Sequence, residues 1–155
     1  MLILVFSDSH GSTEAMLSVT AARRPDLLIH LGDCLTDALA IVRAFPALPA
    51  LRLPGNCDFA PDPAVQLYTA GPHTLYLTHG HRHGVKRDTA RLAADARAAG
   101  ARAALFGHTH TPHNQDAGGL LLFNPGSIAR PRVGPPTYGL IEIVGNRLEA
   151  LVVPL

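Results

Sequence analysis

The chain has no tryptophan and only two cysteines and two methionines, and aromatic residues make up 5% of it. Two cysteines, Cys34 and Cys57, cannot build the framework of a small disulfide-stapled secreted fold; they read as free thiols in a reducing compartment. No apolar run approaches the ~20 residues of a membrane-spanning helix. The apolar start, residues 1–6, lacks a basic leader region and meets Asp8 and His10 at once, so it reads as a buried strand. Charge is scarce too: 16% of residues are charged and the formal net charge is +1. That excludes the broad electrostatic footprint of a nucleic-acid or anionic-membrane binder, although Arg82, Lys86, Arg87 and Arg91 form a local basic cluster. Glycine-rich phosphate loops, Gly-x-Ser-x-Gly elbows, repeats and linkers are all missing. What remains is 155 residues, 47% hydrophobic, expected to form one domain over 1–155, located in the cytoplasm. Such a length buries roughly two-thirds of its unfolded surface without staples.

The apolar pattern gives the order of elements. Residues 2–6 form a continuous apolar run, the mark of a strand covered on both faces. A helix over 12–24 opens at Ser12 and stops before Pro25; strand 27–31, helix 37–45 and strand 48–53 follow. This alternation implies parallel strands with right-handed crossovers. Strands 65–69 and 74–78 flank a Gly71-Pro72 break, helix 88–99 ends at Gly100, and strand 103–106 precedes a final all-β third at 120–123, 138–144 and 147–153. Residues 61–63 and 130–136 read as proline-rich surface connections. The expected architecture is two sheets packed face to face with helices outside, and chemistry gathered at the strand C-termini.

Short Asp- and His-bearing motifs follow the apolar runs: Asp8-Ser9-His10, Gly32-Asp33, Gly55-Asn56-Cys57-Asp58, His79-Gly80-His81 and Gly107-His108-Thr109-His110. Residues i and i+2 at a strand end face the same way, so Asp8 with His10, and His108 with His110, would converge. Each piece has a bland alternative. Asp8 and Asp33 could cap helices, Asn56 could simply turn the chain, and His79 could be a satisfied polar residue. Together they deliver an oxygen or nitrogen donor after strand upon strand, which is how a dinuclear metal hydrolase is built.

The ordered set resembles the calcineurin-like metallophosphoesterase superfamily, and within it the small YfcE-type branch related to the retromer scaffold subunit. The match runs from Leu4 to about Ile128 and includes the Asn124-Pro125-Gly126-Ser127 turn. The resemblance implies a four-layer α-β-β-α sandwich of two mixed sheets flanked by helices. It implies one metal on Asp8, His10, Asp33 and His110 and a second on Asp33, Asn56, His79 and His108, with Asp33 bridging. Four histidines among seven ligands disfavour magnesium and calcium. The family points to two manganese ions, while iron, zinc, cobalt and nickel also suit the donors. The implied activity is phosphodiester hydrolysis of a small phosphate-ester substrate by in-line attack of a metal-bridging hydroxide. Alternatives are a phosphomonoesterase, or a non-catalytic metal-binding scaffold; retention of all seven ligands favours catalysis. Many relatives carry histidine after the asparagine as the acid for the leaving group. Here Cys57 stands there, a poor acid, beside Asp58, which would orient such a histidine, and His81 is a substitute candidate. Arg130 and Arg132 are candidate phosphate clamps. The long C-terminal strands could also pair subunits into a homo-oligomer.

Overall fold

A computed structural model describes residues 1–59 and 63–155; of the expected 61–63 connection, 61 and 62 lie outside the described residues. In chain order the elements are β1 (Leu2–Phe6), α1 (Thr13–Arg23), β2 (Leu27–His30), α2 (Leu35–Ala44), β3 (Ala50–Arg52), β4 (Val65–Ala70), β5 (His73–Thr78), a 3-10 turn (His81–His83), α3 (Ala90–Ala98), β6 (Ala103–Leu105), β7 (His113–Asp116), β8 (Leu121–Asn124), β9 (Thr137–Val144) and β10 (Arg147–Pro154). They form two mixed five-stranded sheets, ordered β10-β9-β1-β2-β3 and β4-β5-β6-β8-β7. β1, β2 and β3 are parallel, as the alternating pattern predicts, and β9 joins β1 antiparallel.

Strand alternation divides the core. Ile3 and Val5 of β1 face the interior between the sheets, among Leu27, Ile29, Leu75, Leu77, Leu105 and Phe123. Leu4 and Phe6 face the other way and pack with Met16 and Val19 of α1, Leu28 of β2 and Ile41 of α2. A third cluster places Leu92 and Ala96 of α3 over Tyr76, Ala104 and Leu122. The layers are therefore helix, sheet, sheet, helix. Burying such side chains stabilises the fold by about 1.5–3 kcal/mol each.

Two elements escape sequence expectation. β7 reads His-Asn-Gln-Asp, a polar run that strand propensity rejects. It exists because it completes the edge of the second sheet against β8, and Asn114 reaches across to donate its Nδ2 to the Ala150 carbonyl of edge strand β10, at 2.8 Å. The 3-10 turn holds the loop after β5, fixed by His83, which is buried against Tyr76 Oη at 3.1 Å. Ser12 does occupy the position before α1 but makes no capping bond with its side chain. Asp37 instead ties down the loop ahead of the helix, accepting the Gly11 N–H at 2.7 Å.

Candidate metal centre

The C-terminal ends of β1, β2, β3, β5, β6 and β8 point to one edge of the sandwich. The loops leaving them carry the predicted donors. Asp8, Asp33 and His79 are buried, while His10, His108 and His110 are half-buried and Asn56 and Cys57 exposed. Ligand atoms of Asp8, His10, Asp33 and His110 all lie within 4.8 Å of one another. On the other side, His79 Nε2 is 3.2 Å from Asn56 Oδ1 and 3.5 Å from Asp33 Oδ1, with the His108 ring 5.0 Å from that of His79. Asp33 thus turns Oδ1 toward His79 and Oδ2 toward His10 Nε2, 3.8 Å away.

The route to this convergence differs from the one expected. β1 ends at Phe6 and β6 at Leu105, so the Asp8–His10 and His108–His110 pairs lie beyond their strands. They converge through left-handed backbone, with φ of 54° and 38° in the first pair and 67° and 57° in the second. Asp33 and Cys34 share it at 60° and 71°. Apart from Arg24, which ends α1, no other described non-glycine residue has positive φ. Such conformations cost about 1–3 kcal/mol each, and their concentration here marks a functional site held by its surroundings.

Those surroundings also fix the proton positions. Ser7 Oγ donates to Asp8 Oδ2 at 2.6 Å and the His108 N–H donates to it at 3.0 Å. His79 Nδ1–H donates to the Leu31 carbonyl at 2.8 Å, and His110 Nδ1–H to the Arg130 carbonyl at 2.7 Å. Both rings, when neutral, therefore present an Nε2 lone pair to the site. There Asp8 Oδ1, buried and without a hydrogen-bond donor, lies 3.2 Å from His110 Nε2 and 4.0 Å from His79 Nε2. His10 Nε2 and His110 Nε2 are 3.4 Å apart. Acceptors facing acceptors at these distances need a cation between them. A proton on His110 is one solution, and its hydrogen bond to Asp8 raises its pKa despite burial. A divalent metal is the other, and the donor set, three imidazoles with two carboxylates, fits one. Burial pushes the Asp8 carboxyl up, but His110, His79 and Ser7 together hold it below its ordinary value. Burial, with His79 and Lys86, pushes His108 down to about 4, leaving its ring neutral.

A second tier ties the loops together. The Gly32 N–H donates to His30 Nδ1, so His30 Nε2–H donates to Ser9 Oγ at 3.1 Å, and Ser9 donates to Asp37 Oδ2 at 2.8 Å. His30, which belongs to none of the motifs, is fully buried, and burial lowers its pKa to about 4. Asn124 donates to the Gly107 carbonyl and Ser127 to the Asp8 carbonyl, so the turn after β8 supports both ligand pairs. Asp58 accepts the N–H groups of Leu35 and Gly55 through its two oxygens, bracing the β3 and α2 loops. Cys57 is bonded through its N–H to Asp33 Oδ1; partial desolvation and the Asp33 carboxylate push its thiol up to about 11. Cys34 Sγ lies 3.8 Å from His10 Nδ1, and neither cysteine is in a disulfide. His81 packs on the His79 and His108 rings with Nδ1 buried and unpartnered.

A cleft of about 390 Å³ opens onto His10, Asp33, Asn56, Cys57, His108 and His110. Arg130, Pro131, Arg132 and Lys86 form the rest of its lining. Of the basic cluster noted in the sequence only Lys86 reaches it; Arg87 pairs with Asp88 and Arg91 with Asp95. A larger cavity of about 700 Å³, between the end of α1 and the loop before β3, holds no donor cluster among the described residues. No helix among the described residues is long and apolar enough to cross a membrane.

Two mixed sheets between helix layers, with Asp and His donors gathered at their strand ends, define a metallophosphoesterase class of fold. Residues 1–146 match the calcineurin-like phosphoesterase superfamily domain, and the chain belongs to that superfamily. It is similar to the probable metallophosphoesterase YsnB of Bacillus subtilis (39% identity over 137 residues, covering 86% of this chain and 78% of that one). It is also similar to phosphodiesterase YfcE of Escherichia coli K12 (31% over 168 residues, 92% and 88%). Among solved structures, a predicted phosphoesterase of Streptococcus pneumoniae TIGR4 superposes with a TM-score of 0.84 at 27% identity, covering 99% of this chain and 88% of that one.

Proposed function

We propose that this chain is a dinuclear, metal-dependent phosphodiesterase acting on small phosphate esters, with manganese as its working metal. The observation that carries the reading is the buried Asp8 Oδ1 facing imidazole lone pairs, an arrangement that calls for positive charge. Asp8, His10, Asp33 and His110 would hold one ion and Asp33, Asn56, His79 and His108 the other. Bound divalent ions supply Lewis-acid charge for phosphate oxygens and lower the pKa of water. The chain's own residues do the positioning. Ser7 and the His108 N–H lock one Asp8 oxygen so that the other faces the site. Leu31 and Arg130 carbonyls set the tautomers of His79 and His110. Arg130 and Arg132 line the cleft beside the donors and would contact phosphate oxygens of the substrate. Cys57 Sγ keeps its proton at neutral pH and gives it up reluctantly, so leaving groups that need no proton are favoured. The name of the Escherichia coli relative supports the diester preference.

The test is metal content and hydrolysis on one manganese-reconstituted preparation, using bis-p-nitrophenyl phosphate beside p-nitrophenyl phosphate, with His108→Ala in parallel. Two metals per chain, faster diester turnover and loss of turnover in the variant are expected. Absence of metal or of turnover overturns the reading, and faster monoester turnover converts it to a phosphomonoesterase.

A further inference from the structure

Lys86 is the only lysine of a chain that carries twelve arginines, and it lines the cleft over the metal centre together with Arg130 and Arg132. With a net charge of +1 for the whole chain, this is a local concentration of positive charge. Asp33 is the only acidic side chain in the cleft lining among the described residues. Of the ten arginines elsewhere, six have partners among the described residues: Arg23 holds the Tyr138 hydroxyl, Arg87 pairs with Asp88, Arg91 with Asp95 and Arg147 with Glu149, and Arg97 and Arg102 donate to the Ala117 and Gly119 carbonyls. The three cleft cations form no ion pair among the described residues.

The backbones that carry them are anchored to the ligand loops. The Arg130 carbonyl accepts from His110 Nδ1–H at 2.7 Å, and the Arg132 N–H donates to the His110 carbonyl at 3.0 Å. Beside Lys86, Val85 is buried against Gly80, so closely that a Cβ at Gly80 would meet Val85 Cγ2 at 2.8 Å. These loops therefore hold three exposed cationic side chains around one opening.

Charge balance then bears on the substrate, given the dinuclear reading above. Two divalent ions against Asp8, Asp33 and a hydroxide leave a surplus of about +1, which already matches the single negative charge of a diester. Three further cations have no charge to balance on such a substrate. We propose that the cleft takes a phosphodiester that bears a second phosphate, held outside the reacting centre by Lys86 with Arg130 and Arg132. A terminal phosphate offers two negative charges and three acceptor oxygens to a lysine ammonium and two guanidinium forks.

The probes are thymidine 5′-(p-nitrophenyl phosphate) and the same compound phosphorylated at its 3′ oxygen. The manganese-loaded wild type is expected to favour the phosphorylated compound by at least about tenfold in kcat/KM. Lys86→Gln, and separately Arg130→Gln with Arg132→Gln, should bring the ratio close to 1, and Lys86→Arg should restore most of it. A second readout does not depend on turnover. The single lysine allows acetylation of Lys86 by an N-hydroxysuccinimide ester to be followed by mass spectrometry. Thymidine 3′,5′-bisphosphate should protect it and thymidine 5′-monophosphate at equal concentration should not. Equal kcat/KM for the two probes in the wild type, or a ratio retained in Lys86→Gln, overturns this inference and leaves the hydrolase reading standing. Protection without turnover of either probe supports the anion site and overturns the hydrolase reading; neither protection nor turnover overturns both.

Discussion

At Cys57 a single side chain sets which esters the site can open. Its thiol, pushed up to about 11, is protonated at neutral pH but is a weak acid for an alkoxide that must leave. p-Nitrophenolate leaves without a proton, whereas an alkoxide does not. Cys57→His is therefore expected to raise turnover of an alkyl-leaving diester by about 10- to 100-fold while changing bis-p-nitrophenyl phosphate turnover by less than about threefold. Steady-state rates on both substrates check this, and an unchanged alkyl rate rejects the account. Asp33 tests the other half of the site. Its two oxygens face His79 and His10 separately, and Oδ1 also accepts the Cys57 N–H. Asp33→Asn keeps the shape and removes the charge, so metal content should fall below two per chain and diester turnover by at least about 100-fold. A variant that retains both metals would show that Asp33 does not bridge.

Between residues and fold stand the loops that follow the strands, and here legibility in the sequence divides. The strands could be read because β1 and β2 are covered on both faces and so are unbroken apolar runs. The donors could be read because each follows such a run. What could not be read is how the backbone turns: strand alternation predicts that Asp8 and His10 converge, whereas left-handed φ angles do it. Polar β7 was illegible because its own residues lack strand propensity although its partner β8 follows at once, and buried His30 because its partner Ser9 comes from a different strand's loop, 21 residues away. Lys86 had a signal that composition alone carries, being the one lysine. The loops leave no spare room. A Cβ on Gly55 would meet Asp33 Oδ1 at 2.1 Å and its backbone nitrogen at 2.3 Å. Gly55→Ala must move Asp33 or the β3 loop, so we expect about 1–3 kcal/mol of lost stability in urea unfolding and weaker metal binding in titration. Native-like metal affinity would mean the loop shifts without disturbing Asp33.

For the molecule as a whole, the sandwich gathers ligand loops from both sheets and surrounds them with histidines of opposite titration behaviour, so the pH dependence of stability reports on the site before any metal binds. His110 has a raised pKa through its bond to Asp8; its contribution is fully present below 6.5 and is lost as pH rises through the folded value. His30 works the other way. Burial lowers it from 6.5 to about 4, so between those values the unfolded chain binds a proton that the folded chain refuses. Stability therefore rises with pH across that window, and acidification from 6.5 to 4 costs about 3 kcal/mol through His30 alone. Glutamine at this position can still accept the Gly32 N–H and donate to Ser9, but it cannot take up the proton. Urea unfolding of metal-free wild type and His30→Gln at pH 7 and pH 4 separates the effect from general acid destabilisation. The wild type should lose about 3 kcal/mol more than the variant over that interval. Equal losses would mean that His30 charges freely in the folded chain, and that the Gly32–His30–Ser9–Asp37 chain is looser than its burial implies.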